Sequence, residues 1–422
     1  MDIIQSRILI IGAGPGGATA ALFLAKAGIE CVVVDKAKFP RDKVCGDAWS
    51  GKVGEVLRKL DPEIVERFAK EKFEVGSWGV TFTAPNKKSL RVPFRREIHM
   101  GETAPGFIAK RIDSDNFLVE EMRKHSSIKI IEECSLEKFE RTENGWDIYS
   151  ADGKFHFQPR LVIDASGAHS RFAKQVGGIE VEPKHYCAGI RAYYKNVAGM
   201  DHQNFIELIF LKEFLPGYFW IFPLPNGEAN VGVGMRSDRV SAKKIDLKKE
   251  MLRMIAEHPL LKERFANAIP DGPIRGYGLP LGSKKRRISG DGFMLVGDAA
   301  SLIDPFTGEG IGNAMMSGMV ASRVAEPLLN PPCGGGLELP SFSAEKLLQY
   351  DEQVYHRLWS ELKLSHRMQQ MVNFPWLFNL VVNKANRSKT LREMIMSMFE
   401  DMDVRAQLRN PAFYFRLLFT NK

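Results

Sequence analysis

The sequence predicts an α/β protein: a discontinuous domain on a largely parallel sheet, an antiparallel-sheet domain inserted into it, and a C-terminal helical appendage. Three observations carry this. The first forty residues read as strand, glycine turn, helix, strand. Two interior stretches change to short aromatic and β-branched runs broken by Pro, Gly and Asn. After a Pro- and Gly-rich break at 330–340 the apolar spacing becomes helical.

Arg7 to Ile11 is an apolar strand. Pro15 to Ala27 opens on Pro, is rich in Ala and Leu, and stops at Gly28, the start and stop signals of a helix. Glu30 to Val34 adds a β-branched strand, and a βαβ opening predicts a parallel sheet. Residues 128–131, 146–149, 155–163 and 292–296 read as further strands of this domain, and 75–94 and 187–235 as antiparallel strands of a second layer. Residues 247–266 and 310–325 read as helices. The nucleotide-binding domain is therefore expected in 1–74, 95–186 and 272–330, and the inserted sheet in 75–94 and 187–271. The helical region is expected in 341–422, with helices at 344–371 and 389–402; NPPCGGGLELP marks its boundary because Pro and Gly clusters end a helix.

A chain of 422 residues suits two or three such units. With 44% hydrophobic and 26% charged residues it has an ordinary globular composition, and no apolar run reaches a membrane span. MDIIQSR leads straight into ILIIGAG with no basic leader region or cleavage site, so a cytoplasmic location is expected. The five cysteines, Cys31, Cys45, Cys134, Cys187 and Cys333, lack paired spacing; neither a disulfide framework nor a metal site is expected. A formal charge of +8 suits a solvated basic surface, an anionic membrane face, a phosphorylated substrate or an acidic protein. No nucleic-acid motif accompanies the charge, so nucleic acid is not expected as a partner.

The strongest local signal is GAGPGG between the first strand and helix, with Gly12, Gly14 and Gly17 spaced G-x-G-x-x-G. Gly12 permits the tight turn, Gly14 lets the backbone approach a pyrophosphate, and Gly17 lets the helix pack on the strand. Pro15 opens the helix, whose first amides face the phosphates. Asp35 ends the second strand, where a carboxylate meets a ribose, with Lys36 beside it. This defines a Rossmann-like dinucleotide site but leaves FAD and NAD both open, since each carries an adenosine diphosphate.

Distant motifs separate the two by resemblance. FMLVGDAASLIDPFTGEGIGNAM resembles the second FAD fingerprint of flavoproteins with the p-hydroxybenzoate hydroxylase fold. The resemblance implies FAD as cofactor, with Gly297 and Asp298 at the ribityl chain and Pro305, Gly308, Gly310, Ile311 and Gly312 around the flavin. A helix starting near Gly310 would then aim its amides at the flavin and favour the negative charge of the reduced ring by about 1 kcal/mol. VIDASGAHSR resembles the same family's D-G motif, although Ala165 replaces the Gly; it implies Asp164 and Gly167 as cofactor residues. Arg111, Asp115 and Leu118 match R-x-x-x-D-x-x-L, which implies Arg111 near the cofactor.

Two further stretches narrow the resemblance to the geranylgeranyl reductase family, with flavin-dependent halogenases more distant. FPRDKVCGDAWSG resembles P-R-x-K-x-C-G and implies Arg41, Cys45 and Gly46 at the cofactor, with Cys45 a candidate catalytic thiol. LPGYFWIFP resembles P-x-x-Y-x-W-x-F-P, although Leu215 stands where the leading Pro belongs. It implies Tyr218, Trp220 and Phe222 as substrate residues, with Tyr218 and Trp220 catalytic candidates. Period-two alternation independently puts these three rings on one strand face, where they read either as a wall for an apolar ligand or as a core stripe.

The family implies reduction of carbon–carbon double bonds in a hydrophobic isoprenoid or lipid-like substrate by reduced FAD. The same fold also hosts monooxygenases and halogenases that activate oxygen at the flavin. NAD(P)H or a reduced ferredoxin would dock transiently, since no second dinucleotide motif occurs, and the +8 charge suits an acidic electron-donor protein. Basic residues alternate with Phe413, Tyr414, Phe415 and Phe419 in the tail, and six of the 17 Met fall between Met368 and Met402. That composition reads as helical core packing or as peripheral contact with the inner face of a membrane.

Overall fold

A computed structural model describes residues 1–95, 101–329, 341–388 and 392. Asp2–Ile11 lies at the heart of an eight-stranded sheet, with Phe155–Asp164 and Cys31–Val34 parallel on its two sides. Phe293–Leu295 and Ile128–Ile131 extend it in parallel register. Ile8 to Ile11 and Cys31 to Val34 are buried on both faces, which is why they read as unbroken apolar runs. Leu136–Thr142 and Gly145–Ser150 form an antiparallel hairpin that joins the sheet through Phe155–Asp164. Helix Pro15–Lys26 packs on helix Ile311–Leu329 through small residues; a Cβ at Gly318 would lie 2.3 Å from the Gly16 main-chain oxygen.

The second sheet has seven strands in the order Ile269–Pro280, Tyr186–Lys195, Glu228–Arg236, Tyr218–Pro223, Ile206–Ile209, Gly79–Thr83, Ser89–Pro93. All neighbours are antiparallel except Ile206–Ile209 with Gly79–Thr83. Alternation along Tyr218–Pro223 separates two cores. Trp220 and Phe222 face Phe82, Phe210, Phe306 and helix Pro375–Arg387, while Phe219 and Ile221 face Met251, Met254 and Phe265 beside helix Leu247–Glu257.

Several elements differ from expectation. The stretch 75–94 divides: Glu74–Ser77 joins a separate three-stranded sheet with Gly106–Ala109 and Ala48–Trp49, and only the following hairpin enters the large sheet. The helix expected over 247–266 ends at Glu257, because Pro259 disfavours helical geometry at His258. Ile269–Pro280, mostly solvent-facing and lacking an apolar pattern, is a strand paired along Tyr186–Lys195. The boundary expected at 271/272 falls inside it. Ala344–Met371 is a helix with the expected bounds, Pro375–Arg387 is an additional one, and 389–402 lies outside the described residues. So does the tail from Arg405 to Lys422. Among the described residues no helix is long and apolar enough to cross a membrane, and no His, Cys, Asp and Glu cluster could hold a metal.

Candidate functional site

A cavity of about 540 Å³ opens where the first glycine turn, the 35–46 stretch and the Tyr218–Pro223 strand converge. The three fingerprint glycines divide their work by geometry. Gly12 holds φ at +98°, and a Cβ there would lie 2.6 Å from the Ala165 oxygen. A Cβ at Gly17 would sit 1.9 Å from the Gly12 oxygen, so only hydrogen fits between helix and turn. At Gly14 a Cβ would meet nothing closer than the Arg41 guanidinium at 3.6 Å; this glycine faces the cavity. Gly14 caps the helix without a side-chain hydrogen bond, leaving first-turn amides for a ligand.

Asp35 braces this turn, accepting from the Ala13 amide at 2.8 Å and the Ala37 amide at 2.9 Å while lining the cavity with Lys36. Behind it lies a buried ionic cluster. Arg111 donates twice to Asp115, at 2.5 and 2.6 Å, and Arg41 donates to the same carboxylate at 2.8 Å. Burial opposes both charges, but the attraction wins: Asp115 is held below the usual carboxylate range and Arg111 above its ordinary value. The Arg111 guanidinium also lies beside the Cys45 thiol.

The second glycine run meets the same cavity. Gly297 holds φ at +62° and Gly308 at +75°, and Gly308 packs so closely that a Cβ would lie 2.9 Å from the Tyr218 hydroxyl. Lys43 pairs with Asp298 at 3.2 Å, and Gly310 and Ile311 bring the start of helix Ile311–Leu329 to the cavity. Gly167, with φ +88°, also lines it. Asp164 does not: it is wholly buried and accepts from the Ser166 and Ser170 hydroxyls, each at 2.5 Å, which fixes the turn after its strand. Gly17, Pro305 and Gly312 are likewise outside the lining; Gly312 packs against Glu309 and Ser50.

The structure brings Cys45 and Gly46 together with Tyr218, Trp220 and Phe222 in one cavity wall. A Cβ at Gly46 would lie 2.8 Å from the Phe222 ring. Trp220 packs against Gly232, where a Cβ would come within 2.2 Å of the indole. Ring centroids are 6.1 Å apart from Tyr218 to Trp220 and 6.3 Å from Trp220 to Phe222. Sequence reasoning missed Asp47, Asn230, Tyr193 and Arg191, which knit this wall to the Cys45 loop. Asn230 carried one signal: an amide within the otherwise apolar run ANVGVGM has to find partners inside the fold. A larger groove of about 910 Å³, between Lys285–Arg287 and helix Ala344–Met371, contains none of the motif residues.

An uncapped helix start, a glycine cradle that a Cβ would fill and a second helix start on the same cavity fit a dinucleotide with a flavin at its far end. This is the construction of a flavin-dependent oxidoreductase. The chain matches the FAD binding domain family over residues 5–326 and belongs to it. It is 29% identical over 337 residues to digeranylgeranylglycerophospholipid reductase 2 of Methanopyrus kandleri, covering 76% of this chain and 77% of that one. It is 27% identical over 336 residues to menaquinone reductase of Mycobacterium tuberculosis, with the same coverage. A geranylgeranyl bacteriochlorophyll reductase-like protein of Thermoplasma acidophilum shares the fold, with a TM-score of 0.79, 21% identity and coverage of 97% and 99%.

Proposed function

We propose that this protein reduces carbon–carbon double bonds of a hydrophobic isoprenoid or lipid-like substrate. The observation that carries the reading is the aromatic wall of Tyr218, Trp220 and Phe222, which faces the same cavity as Cys45 and both glycine loops. When bound and reduced by an electron donor, FAD would supply the hydride and be reoxidised. The chain's own residues orient and enclose the substrate: Trp220 and Phe222 are buried, and their rings offer an apolar face that excludes water. Cys45, beside the Arg111 guanidinium, is the candidate to deliver a proton to the substrate carbon. Gly12, Gly14, Gly297, Asp298 and Gly310 are the candidate FAD contacts, with Asp35 and Arg111 bracing them.

The names of the Methanopyrus and Mycobacterium relatives support a lipid or quinone substrate. NAD(P)H or a reduced ferredoxin is the proposed transient donor, and a peripheral membrane contact would follow from a lipid substrate. Anaerobic incubation of the reduced FAD-loaded protein with prenyl lipids of several chain lengths, read by mass spectrometry, should give saturated products. Failure at every length, or a hydroxylated product formed only in air, would overturn this reading.

A further inference from the structure

Asp47 stands two residues beyond Cys45, wholly buried, with φ at +69°. That left-handed conformation is one Asp and Asn tolerate better than other non-glycine residues. One carboxylate oxygen accepts from the Tyr193 hydroxyl and from Asn230 Nδ2, each at 2.8 Å; the other has no hydrogen-bond partner. Asn230 is equally buried and uses both hydrogens of its amide nitrogen. The second goes to the Cys45 main-chain oxygen at 2.7 Å, while Asn230 Oδ1 accepts from the Trp220 indole at 2.9 Å.

A side-chain amide alone places two donors on one atom and an acceptor on the next, so Asn230 joins three groups that no hydroxyl or carboxylate could serve together. Two of them, Cys45 and Asp47, belong to the loop after the nucleotide-binding strands. The third belongs to the wall of the second sheet. The charged groups facing Asp47 complete the arrangement: Arg111 from its helix, and Arg191 from the Tyr186–Lys195 strand. Arg191 lies 4.0 Å over the Tyr193 ring and is itself held by Asp42 at 2.7 Å.

We propose that Asp47 and Asn230 are positioning residues that lock the Cys45 loop to the Trp220 indole, so that thiol and aromatic wall keep one register at the FAD site. The inference rests on the reading of Cys45 and Trp220 as site residues. Its readouts need no substrate, so a failure to reduce prenyl lipids bears on the reaction alone.

The test uses the full-length FAD-loaded protein and measures alkylation of Cys45 by iodoacetamide, assigned by peptide mass, alongside the visible flavin spectrum. N230A and D47A each remove two or more bonds of the bracket. They should speed Cys45 alkylation roughly ten-fold and alter the flavin band, as expected for the loss of two hydrogen bonds of ordinary strength. D47N keeps an acceptor oxygen for Tyr193 and Asn230 and suits the left-handed backbone; it should alkylate within about two-fold of wild type. Y193F removes one bond and should fall between them, which keeps the test intact if N230A does not fold. Wild-type alkylation and spectrum in a folded N230A protein, or a D47N protein as reactive as D47A, would overturn the proposal.

Discussion

Tyr218 donates its hydroxyl hydrogen to the Thr307 main-chain oxygen across 2.8 Å, tying the wall of the second sheet to the loop ahead of helix Ile311–Leu329. Burial pushes the phenol well above its ordinary pKa, so it stays a donor throughout the working pH range. Y218F removes this bond while keeping the ring. FAD affinity should fall about five-fold, in line with roughly 1 kcal/mol for one hydrogen bond, with little change in melting temperature. Titrating the apoprotein with FAD by fluorescence measures it.

The fingerprint glycines should separate stability from binding. G17A drives a methyl into the Gly12 oxygen, a 1.9 Å approach, and should lower the melting temperature sharply or abolish soluble protein. G14A adds a methyl facing the cavity and should leave the apoprotein melting curve nearly unchanged while weakening FAD binding about ten-fold or more. Thermal unfolding of both apoproteins, followed by FAD titration, checks the contrast.

The Arg111–Asp115 pair is buried, so removing one partner strands the other. D115N should destabilise the protein by about 3–5 kcal/mol in urea unfolding at neutral pH. Burial raises the Asp115 carboxyl, but Arg111 and Arg41 more than reverse this, leaving it below the usual range. Its contribution is therefore present above the unfolded value near pH 4 and lost as pH falls through the lowered folded value. Wild type should lose this stability in acid, and D115N should show no corresponding loss.

Asp47 has the opposite sign. Burial raises its carboxyl to about 6, against the hydrogen bonds from Asn230 and Tyr193 and the charges of Arg191 and Arg111. The folded state then binds the proton more tightly than the unfolded chain, so stability falls as pH rises from about 4 to 6. Relative to wild type, D47N should gain about 1.4 kcal/mol between pH 5 and pH 7.5. Equal differences at the two pH values would refute the assignment.

Which residues could be read from the chain follows from the range of their interactions. Gly12, Gly14 and Gly17 act within one turn, so their spacing alone announced them. The alternation of Tyr218, Trp220 and Phe222 was equally local, and the structure puts all three on one wall. Asp47 and Asn230 meet across 183 positions of sequence, and no window of the chain contains both. Lys43 and Asp298 are 255 apart. Asp164 was legible as part of a motif, but its partners were not: its carboxylate accepts from the Ser166 and Ser170 hydroxyls. The strand Ile269–Pro280 was hidden because its pairing to Tyr186–Lys195 is made by main-chain atoms, which leave no apolar pattern in the side chains.

The contact between Gly16 and Gly318 has a bearing on ligand choice. Because the two helices touch backbone to backbone, with no side chain between them to flex, the separation of their starting turns is set like the jaws of a gauge. Both starting turns open on the same cavity. A ligand long enough to reach both would be matched to a separation that the Gly16–Gly318 contact sets, whereas a mononucleotide would reach only one.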